Sequence, residues 1–193
     1  FLGQEWTWHD LVDESSVLAG ALQARGVARG DRVLLFMQNC PQFVTAIHAV
    51  LACGAVVVPV NPMNKSDELP HYIADAGAKV AVASSDIAPE LARASDALPA
   101  GQGLSHLVVF HLAGGRDPGA VAGLPAIGEA WLPARYPLPA LMSGRVEVWA
   151  DWIAEAHRAQ PVAVNLDYLA LLPYPSGTTG LPKGCLHTHA TLS

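Results

Sequence analysis

A short segment near the end of the chain concentrates residue types that bind phosphate. It reads Tyr174-Pro175-Ser176-Gly177-Thr178-Thr179-Gly180-Leu181-Pro182-Lys183-Gly184 and follows an apolar stretch that is typical of a strand. Glycines let backbone N–H groups turn toward an anion, hydroxyls donate hydrogen bonds, and a lysine adds a positive charge. The segment therefore predicts a polyphosphate-binding loop whose candidate contacts are Ser176, Gly177, Thr178, Thr179, Gly180 and Lys183.

The spacing of this loop excludes the commonest nucleotide-binding motif. A Walker A loop has four residues between its first glycine and a Gly-Lys pair, and Ser or Thr follows the lysine. Here two residues separate Gly177 from Gly180, and Gly184 follows Lys183, so the magnesium-binding hydroxyl is missing. The alternative reading is a polar turn between two strands, since Ser, Thr and Gly are common turn residues.

The composition is that of a globular protein without a nucleic-acid-binding surface. Of the 193 residues, 51% are hydrophobic and 15% are charged, which favours a packed core over disorder. The net charge is −6 and the basic residues are scattered, so nucleic acid is excluded as a partner. The longest apolar stretch, residues 55–60, is too short to cross a bilayer, and no secretory signal is visible. We expect a cytoplasmic protein. Because no initiator Met is present, we also expect that the chain lacks some N-terminal residues.

Cysteines and histidines raise the question of metal or thiol chemistry. Cys40, Cys53 and Cys185 are odd in number and share no metal-ligand spacing, so we expect reduced, mostly buried thiols, with Cys185 packed beside the loop. His187 and His189 would share one face of an extended segment, but no third ligand is evident. We therefore predict no metal site and no nucleophilic cysteine.

The first part of the chain alternates helix and strand patterns. Thr7 and Asp10 predict a capping box at the start of a helix that ends at Gly26. Strands are predicted at residues 32–38, 55–60, 79–83 and 106–111, with helices between them that start near residues 41, 66 and 89. Strands separated by helices pair in parallel through right-handed crossovers. The predicted fold class is α/β, a doubly wound and mostly parallel sheet with flanking helices.

Three regions are predicted along the chain. Residues 1–112 form an α/β subdomain. Residues 113–160 form an irregular excursion, because 11 of the 32 residues 113–144 are Gly or Pro, and then a short helix on which Trp149, Trp152, Ile153 and Ala156 have helical spacing. Residues 161–193 form a strand at 167–174, the phosphate-binding loop and the start of the next element.

The loop closely resembles the signature of the adenylate-forming superfamily. That signature reads Ser/Thr-Ser/Gly-Gly-Thr-Thr-Gly-x-Pro-Lys-Gly, and positions 176–180 and 182–184 match it. Segments that look like the acyl-CoA synthetase branch also occur upstream in the family's order: Gly30-Asp31-Arg32-Val33, Asn39-Cys40-Pro41-Gln42-Phe43, residues 54–62, Glu68-Leu69, Tyr72-Ile73 and Gly77-Ala78-Lys79-Val80. The resemblance covers residues 5–111 and 160–193. It implies part of the large N-terminal domain of an acyl-CoA synthetase-like fold.

The resemblance also implies a reaction. The parent enzyme would join a long-chain fatty acid or related carboxylic acid to ATP, release pyrophosphate, and pass the acyl group from AMP to coenzyme A. Lys183 would add charge or hold the loop's shape, a magnesium ion would assist, and the phosphates would be bound by Ser176, Thr178, Thr179 and the N–H groups of Gly177 and Gly180. The family's adenylation lysine belongs to a later C-terminal domain. We therefore expect no catalytic residue in these 193 residues and an inactive fragment.

Two other functions stay open at this point. One is an adenylation domain that loads an acid onto a carrier protein, and the other is a truncated homologue that acts as a non-catalytic binding module. Pro175 adds weight to the second, because the family usually has Thr or Ser there and proline lacks both the hydroxyl and the N–H. The parent reading frame would separate these functions.

Overall fold

The computed structural model describes residue 1 and residues 5–112, 136–175 and 181–192. In this part of the chain seven strands form one sheet in the order β5-β4-β3-β1-β2-β6-β7. The strands are β1 Arg32–Phe36, β2 Val56–Val60, β3 Val80–Ser84, β4 His106–Phe110, β5 Arg145–Val148, β6 Leu169–Leu171 and β7 His187–Thr188. Every neighbouring pair is parallel except β6 and β7. The predicted mostly parallel sheet is confirmed.

Helices cover both faces of the sheet. They are α1 Trp8–Ala24, α2 Pro41–Ala52, α3 Leu69–Ala76, α4 Ala88–Asp96 and α5 Trp149–Ala154, and a 3-10 helix, His189–Thr191, follows β7. Buried residues of α1, α2 and α5 form one core, and those of α3 and α4 form a second core on the opposite face. The sheet is therefore doubly wound, as predicted. None of the described helices is long and apolar enough to cross a membrane.

The central strand shows why its sequence is apolar without alternation. Val33 and Leu35 point into the core under α1 and α2, whereas Leu34 and Phe36 point into the core under α3 and α4. All four side chains are fully buried. A strand covered on both faces needs an apolar residue at every position, and each such side chain contributes about 1.5–3 kcal/mol on burial. The centre of the sheet is thus buried on both faces up to the carboxyl end of this strand.

The predicted cap of α1 is present. The Asp10 N–H donates to Thr7 Oγ1 at 3.1 Å, and the Thr7 N–H donates to Asp10 Oδ2 at 2.9 Å. Hydrogen bonds from the Thr7 side chain and backbone lower the pKa of Asp10. Gly26 follows the helix with φ of +85°, a conformation that glycine adopts without strain. The capping box and the predicted end of the helix are both confirmed.

Two predicted elements are shorter than expected for backbone reasons. The helix predicted from residue 66 begins at Leu69, beside Pro70, because proline fits best in the first turn of a helix. The strand predicted at residues 167–174 is reduced to Leu169–Leu171. The Leu172 N–H still donates to the Val57 carbonyl at 2.8 Å, but Pro173 has no N–H and ends the ladder.

The strand β5 was not predicted. It pairs in parallel with β4 at the edge of the sheet, and no connecting residue separates it from α5. Its four residues follow a stretch rich in Gly and Pro, and they are too few to show a strand pattern of their own. Of that predicted irregular stretch, residues 113–135 lie outside the described residues, and residues 136–144 contain no helix or strand. The predicted helical spacing also fails at Ala156, which lies beyond α5 with φ of +54°.

The chain after α5 crosses α1 closely before it enters β6. The Ala159 N–H donates to the Ser16 carbonyl at 3.1 Å. The Gln23 side chain donates to the Gln160 carbonyl at 2.9 Å and accepts from the Gln160 N–H at 2.8 Å. A Cβ added at Gly20 would lie 2.6 Å from the backbone carbon of His157. Only glycine therefore permits this crossing, which carries the chain toward the opposite edge of the sheet.

This crossing predicts an unusual response to a glycine replacement. Gly20→Ala should gain about 1 kcal/mol of helix propensity. The clash with backbone should outweigh this gain and destabilise the fold by about 1–3 kcal/mol net. The measurement is the free energy of unfolding from urea titrations. As a control, Val12→Ala, exposed on the same helix, should leave stability unchanged or raise it by about 0.5 kcal/mol. A more stable Gly20→Ala protein would contradict the close crossing.

Candidate functional site

The centre of the predicted loop lies outside the described residues. This applies to Ser176, Gly177, Thr178, Thr179 and Gly180, so their predicted contacts with phosphate stay predictions. Both flanks are described, residues 172–175 on the entry side and residues 181–186 on the exit side. The described part of the site therefore consists of the two flanks of the loop.

The loop joins two neighbouring strands at the carboxyl edge of the sheet. It follows β6, which pairs in parallel with β2, and it precedes β7, which pairs antiparallel with β6. After β7 the His189 N–H donates to the Tyr168 carbonyl at 3.0 Å, so the returning chain continues beside the entering one. In open α/β sheets, ligands bind at the carboxyl ends of the strands. The loop thus occupies the edge at which a ligand site is expected.

The two flanks contact each other at the base of the loop. The Cys185 N–H donates to the Pro173 carbonyl at 2.9 Å. A Cβ added at Gly184 would lie 2.7 Å from Leu172 Cδ1 and 3.3 Å from Tyr174 Cζ. The last glycine of the segment therefore lets the exit flank pass close to the entry flank. This contact closes the loop over residues 174–184.

Helix α3 holds the entry flank through Tyr174. The Tyr174 hydroxyl donates to Asp75 Oδ2 at 2.6 Å. The Tyr174 ring lies perpendicular to the Tyr72 ring, with 5.0 Å between the ring centroids. Burial and the neighbouring Asp75 carboxylate raise the pKa of Tyr174 well above its ordinary value, so the hydroxyl keeps its proton and remains a donor.

The same helix holds the exit flank through His71. Its Nε2 lies 2.6 Å from the Pro182 carbonyl oxygen. Sequence reasoning found neither His71 nor Asp75. They are four positions apart on α3, which places them on one helix face, but nothing in the sequence pairs that face with the loop.

Of the residues predicted to contact phosphate, Lys183 is the one that the structure describes. Its side chain is exposed, and it makes no hydrogen bond or ion pair with any described residue. Pro175, on the other flank, is also exposed. An exposed ammonium group beside the loop, without a partner among the described residues, fits an anionic ligand. Its two predicted roles, added charge and support of the loop's shape, remain open.

The cysteines divide into two groups. Cys40 and Cys53 are buried, and burial raises the pKa of Cys40 to about 11 and that of Cys53 to about 12. Both therefore remain protonated thiols at neutral pH. The prediction that Cys185 is packed is wrong, since its side chain is exposed. Its backbone N–H, not its sulfur, makes the contact with the entry flank.

The two histidines near the chain end lie in neighbouring elements. His187 lies in β7, and His189 begins the 3-10 helix. In residues 1, 5–112, 136–175 and 181–192, no group of three or more His, Cys, Asp or Glu side chains is placed to hold a metal ion. The described residues thus give these histidines no partners for metal binding.

Comparison with known sequences identifies the family. Residues 1–193 match the family described as AMP-binding enzyme. A long-chain-fatty-acid–CoA ligase of Escherichia coli O6:H1 (strain CFT073) is 31% identical over 99% of this chain and 33% of its own length. The Bacillus subtilis (strain 168) protein of the same name is 27% identical over 100% of this chain and 33% of its own length. A 4-coumarate–CoA ligase 1 of Oryza sativa subsp. japonica is 32% identical over 97% of this chain and 29% of its own length.

Solved structures give the same fold. The crystal structure of the anthranilate CoA ligase AuaEII in complex with anthranoyl-AMP has a TM-score of 0.72 and 24% identity, over 96% of this chain and 30% of that one. A benzoate CoA ligase from Burkholderia xenovorans LB400 has a TM-score of 0.69 and 22% identity, over 96% and 29%. This chain spans about a third of the length of the curated relatives it matches. It belongs to the AMP-binding enzyme family and has the fold of the corresponding part of the N-terminal domain of acyl-CoA ligases.

Proposed function

We propose that the parent protein is an AMP-forming ligase that activates a carboxylic acid with ATP and transfers the acyl group to coenzyme A. The observation that carries this proposal is the position of the signature segment. It joins β6 to β7 at the carboxyl edge of a parallel sheet, and on its exit flank Lys183 is exposed and has no partner among the described residues. Membership of the AMP-binding enzyme family supports the same conclusion.

The chemical difficulty of this reaction explains what such a loop must do. A carboxylate is a poor electrophile, and both reactants are anionic. The carboxylate can attack the α-phosphorus only when the β- and γ-phosphates are held in line and their charge is offset. In the proposal, Lys183 offsets charge or supports the loop's shape, and the donors to the phosphates are the hydroxyls of Ser176, Thr178 and Thr179 and the N–H groups of Gly177 and Gly180.

Magnesium enters this proposal together with ATP. Magnesium is usually held by one or two carboxylates and by the phosphates themselves, and it keeps several waters. Beside the flanks, the α3 residue Asp75 accepts a hydrogen bond from Tyr174, and no group of three or more metal ligands is found among the described residues. In the proposal the ion therefore arrives bound to the triphosphate and adds positive charge to it.

The proposed acid is a long-chain fatty acid. The E. coli and Bacillus relatives are named long-chain-fatty-acid–CoA ligases and match nearly the whole chain. An aromatic acid is the second candidate, because the rice 4-coumarate–CoA ligase is similar at 32% identity. An adenylation assay on the complete gene product, with a panel of aliphatic and aromatic acids, distinguishes the two candidate substrate classes. The measurement is which acids cause the release of pyrophosphate from ATP.

The proposal predicts a difference between the complete protein and this chain alone. The complete protein should catalyse exchange of radiolabelled pyrophosphate into ATP that depends on added acid. Residues 1–193 alone should not, because they represent about a third of the relatives' length and contain only the lysines Lys65, Lys79 and Lys183.

The assay has two controls and three informative outcomes. Reactions without acid set the background, and thermal unfolding of the isolated chain verifies that it is folded. Exchange by the isolated chain would contradict the fragment's predicted inactivity. No exchange by the complete protein with any acid would favour a non-catalytic binding module. When the assay is extended to thioester formation with each acceptor, acyl transfer to a carrier protein but not to coenzyme A would identify a loading domain.

Pro175 predicts a measurable limit on ATP use. Restoring the hydroxyl and N–H with Pro175→Thr in the complete enzyme should raise kcat/KM for ATP by up to about 10- to 100-fold, the equivalent of one hydrogen bond to a charged oxygen. The matched control is Pro137→Thr, an exposed proline away from the loop. Equal kinetics for Pro175→Thr and the unchanged enzyme would mean that position 175 contributes nothing to phosphate binding.

A further inference from the structure

One face of α3 contacts both flanks of the signature loop. His71 and Asp75 are four positions apart and therefore lie on the same side of the helix. Asp75 accepts the hydrogen bond from Tyr174, which lies two residues before Ser176. His71 contacts Pro182, which lies two residues after Gly180. The two contacts thus lie at equal distances along the chain from the ends of residues 176–180.

The His71 contact fixes a peptide plane. A carbonyl oxygen only accepts, so the His71 Nε2 carries the proton and donates it to the Pro182 oxygen. In a planar trans peptide the carbonyl and the following N–H point in opposite directions. None of the described peptide bonds is cis. Holding the Pro182 carbonyl toward α3 therefore turns the N–H of Lys183 away from α3.

The helix that makes these contacts is itself well anchored. Leu69 and Ile73 are fully buried, and Tyr72 and Ala76 are nearly so, all within the core that α3 shares with α4. His71 is half-buried, and its ring lies edge-on to the Tyr174 ring at 6.1 Å between centroids. The polar side chains thus project from a fixed support toward a segment rich in glycine. Without such a support, a glycine-rich segment would lose considerable conformational entropy on binding a ligand.

We propose that His71 and Asp75 are positioning residues that set the spacing and direction of the two loop flanks for the phosphates of ATP. This inference rests on the proposed function of the loop. Neither residue touches the substrate in the proposal. Each acts through the flank it holds, Asp75 through Tyr174 and His71 through Pro182. Because the flanks are already arranged before binding, the loss of conformational entropy on ATP binding is smaller.

The test uses the complete enzyme with two replacements of His71. His71→Phe keeps a ring but removes the donor, whereas His71→Gln keeps an N–H donor at the end of the side chain. We expect His71→Phe to raise the KM for ATP by about 2- to 13-fold, the range for one lost hydrogen bond. His71→Gln should restore most of that loss, and the KM for the acid should change little with either variant.

The matched control is His48→Phe on α2, an exposed histidine on a helix of the opposite face of the sheet. It should leave the KM for ATP unchanged. Thermal unfolding of every variant is measured in parallel. A lower melting temperature and kcat for His71→Phe with an unchanged KM for ATP would indicate a merely structural role and overturn the proposal.

The design separates failure of this inference from failure of the proposed function. Acid-dependent exchange by the unmodified enzyme tests the function, and the KM for ATP of the variants tests the positioning roles. If His71→Phe does not fold, Tyr174→Phe removes the bond to Asp75 from the other flank and should also raise the KM for ATP. An active enzyme in which Tyr174→Phe and all folded His71 variants keep the original KM would overturn the proposal.

Discussion

The site depends on the parallel pairing of β6 with β2. This pairing is short: Leu171 lies opposite Val57, and the Leu172 N–H donates to the Val57 carbonyl at 2.8 Å. It attaches a late segment of the chain to a strand that is buried on both faces. Since parallel strands all present their carboxyl ends at one edge, the pairing alone determines that the loop opens at that edge. The same pairing brings the entry flank to α3, where the Tyr174 hydroxyl donates to Asp75.

The crossing over α1 makes this pairing possible. The chain leaves α5 near one edge of the sheet and must reach β2 and β6 on the other side of β1. It does so over Gly20, where hydrogen bonds to the Ser16 carbonyl and the Gln23 amide satisfy its backbone. A segment without regular structure is thus attached to α1 by three hydrogen bonds. Polar backbone groups that pass over a helix need such partners, or water.

Local patterns predicted much of the scaffold from the sequence. The capping box of Thr7 and Asp10 involves residues only three positions apart. The uninterrupted apolar sequence of the central strands indicates that both of their faces are buried. The edge strand β5 was missed because it has four residues, is only partly buried and follows a Gly/Pro-rich stretch. His71 and Asp75 were missed for a different reason. Their partners are more than ninety positions away, and a helix face does not reveal in sequence what it contacts.

The chemistry of the contacts at the loop's base suits the phosphate-binding role proposed for the loop. A phosphate accepts hydrogen bonds, so any N–H or hydroxyl used for anchoring is lost to the ligand. Two of the anchors are the carbonyls of Pro173 and Pro182, which a phosphate cannot use, and neither proline has an N–H to sacrifice. Among the described residues, the donors that serve as anchors come from Tyr174, Cys185 and His71. The described support for the loop therefore comes from α3 and from the loop's own flanks, and it uses no donor that the proposal assigns to phosphate.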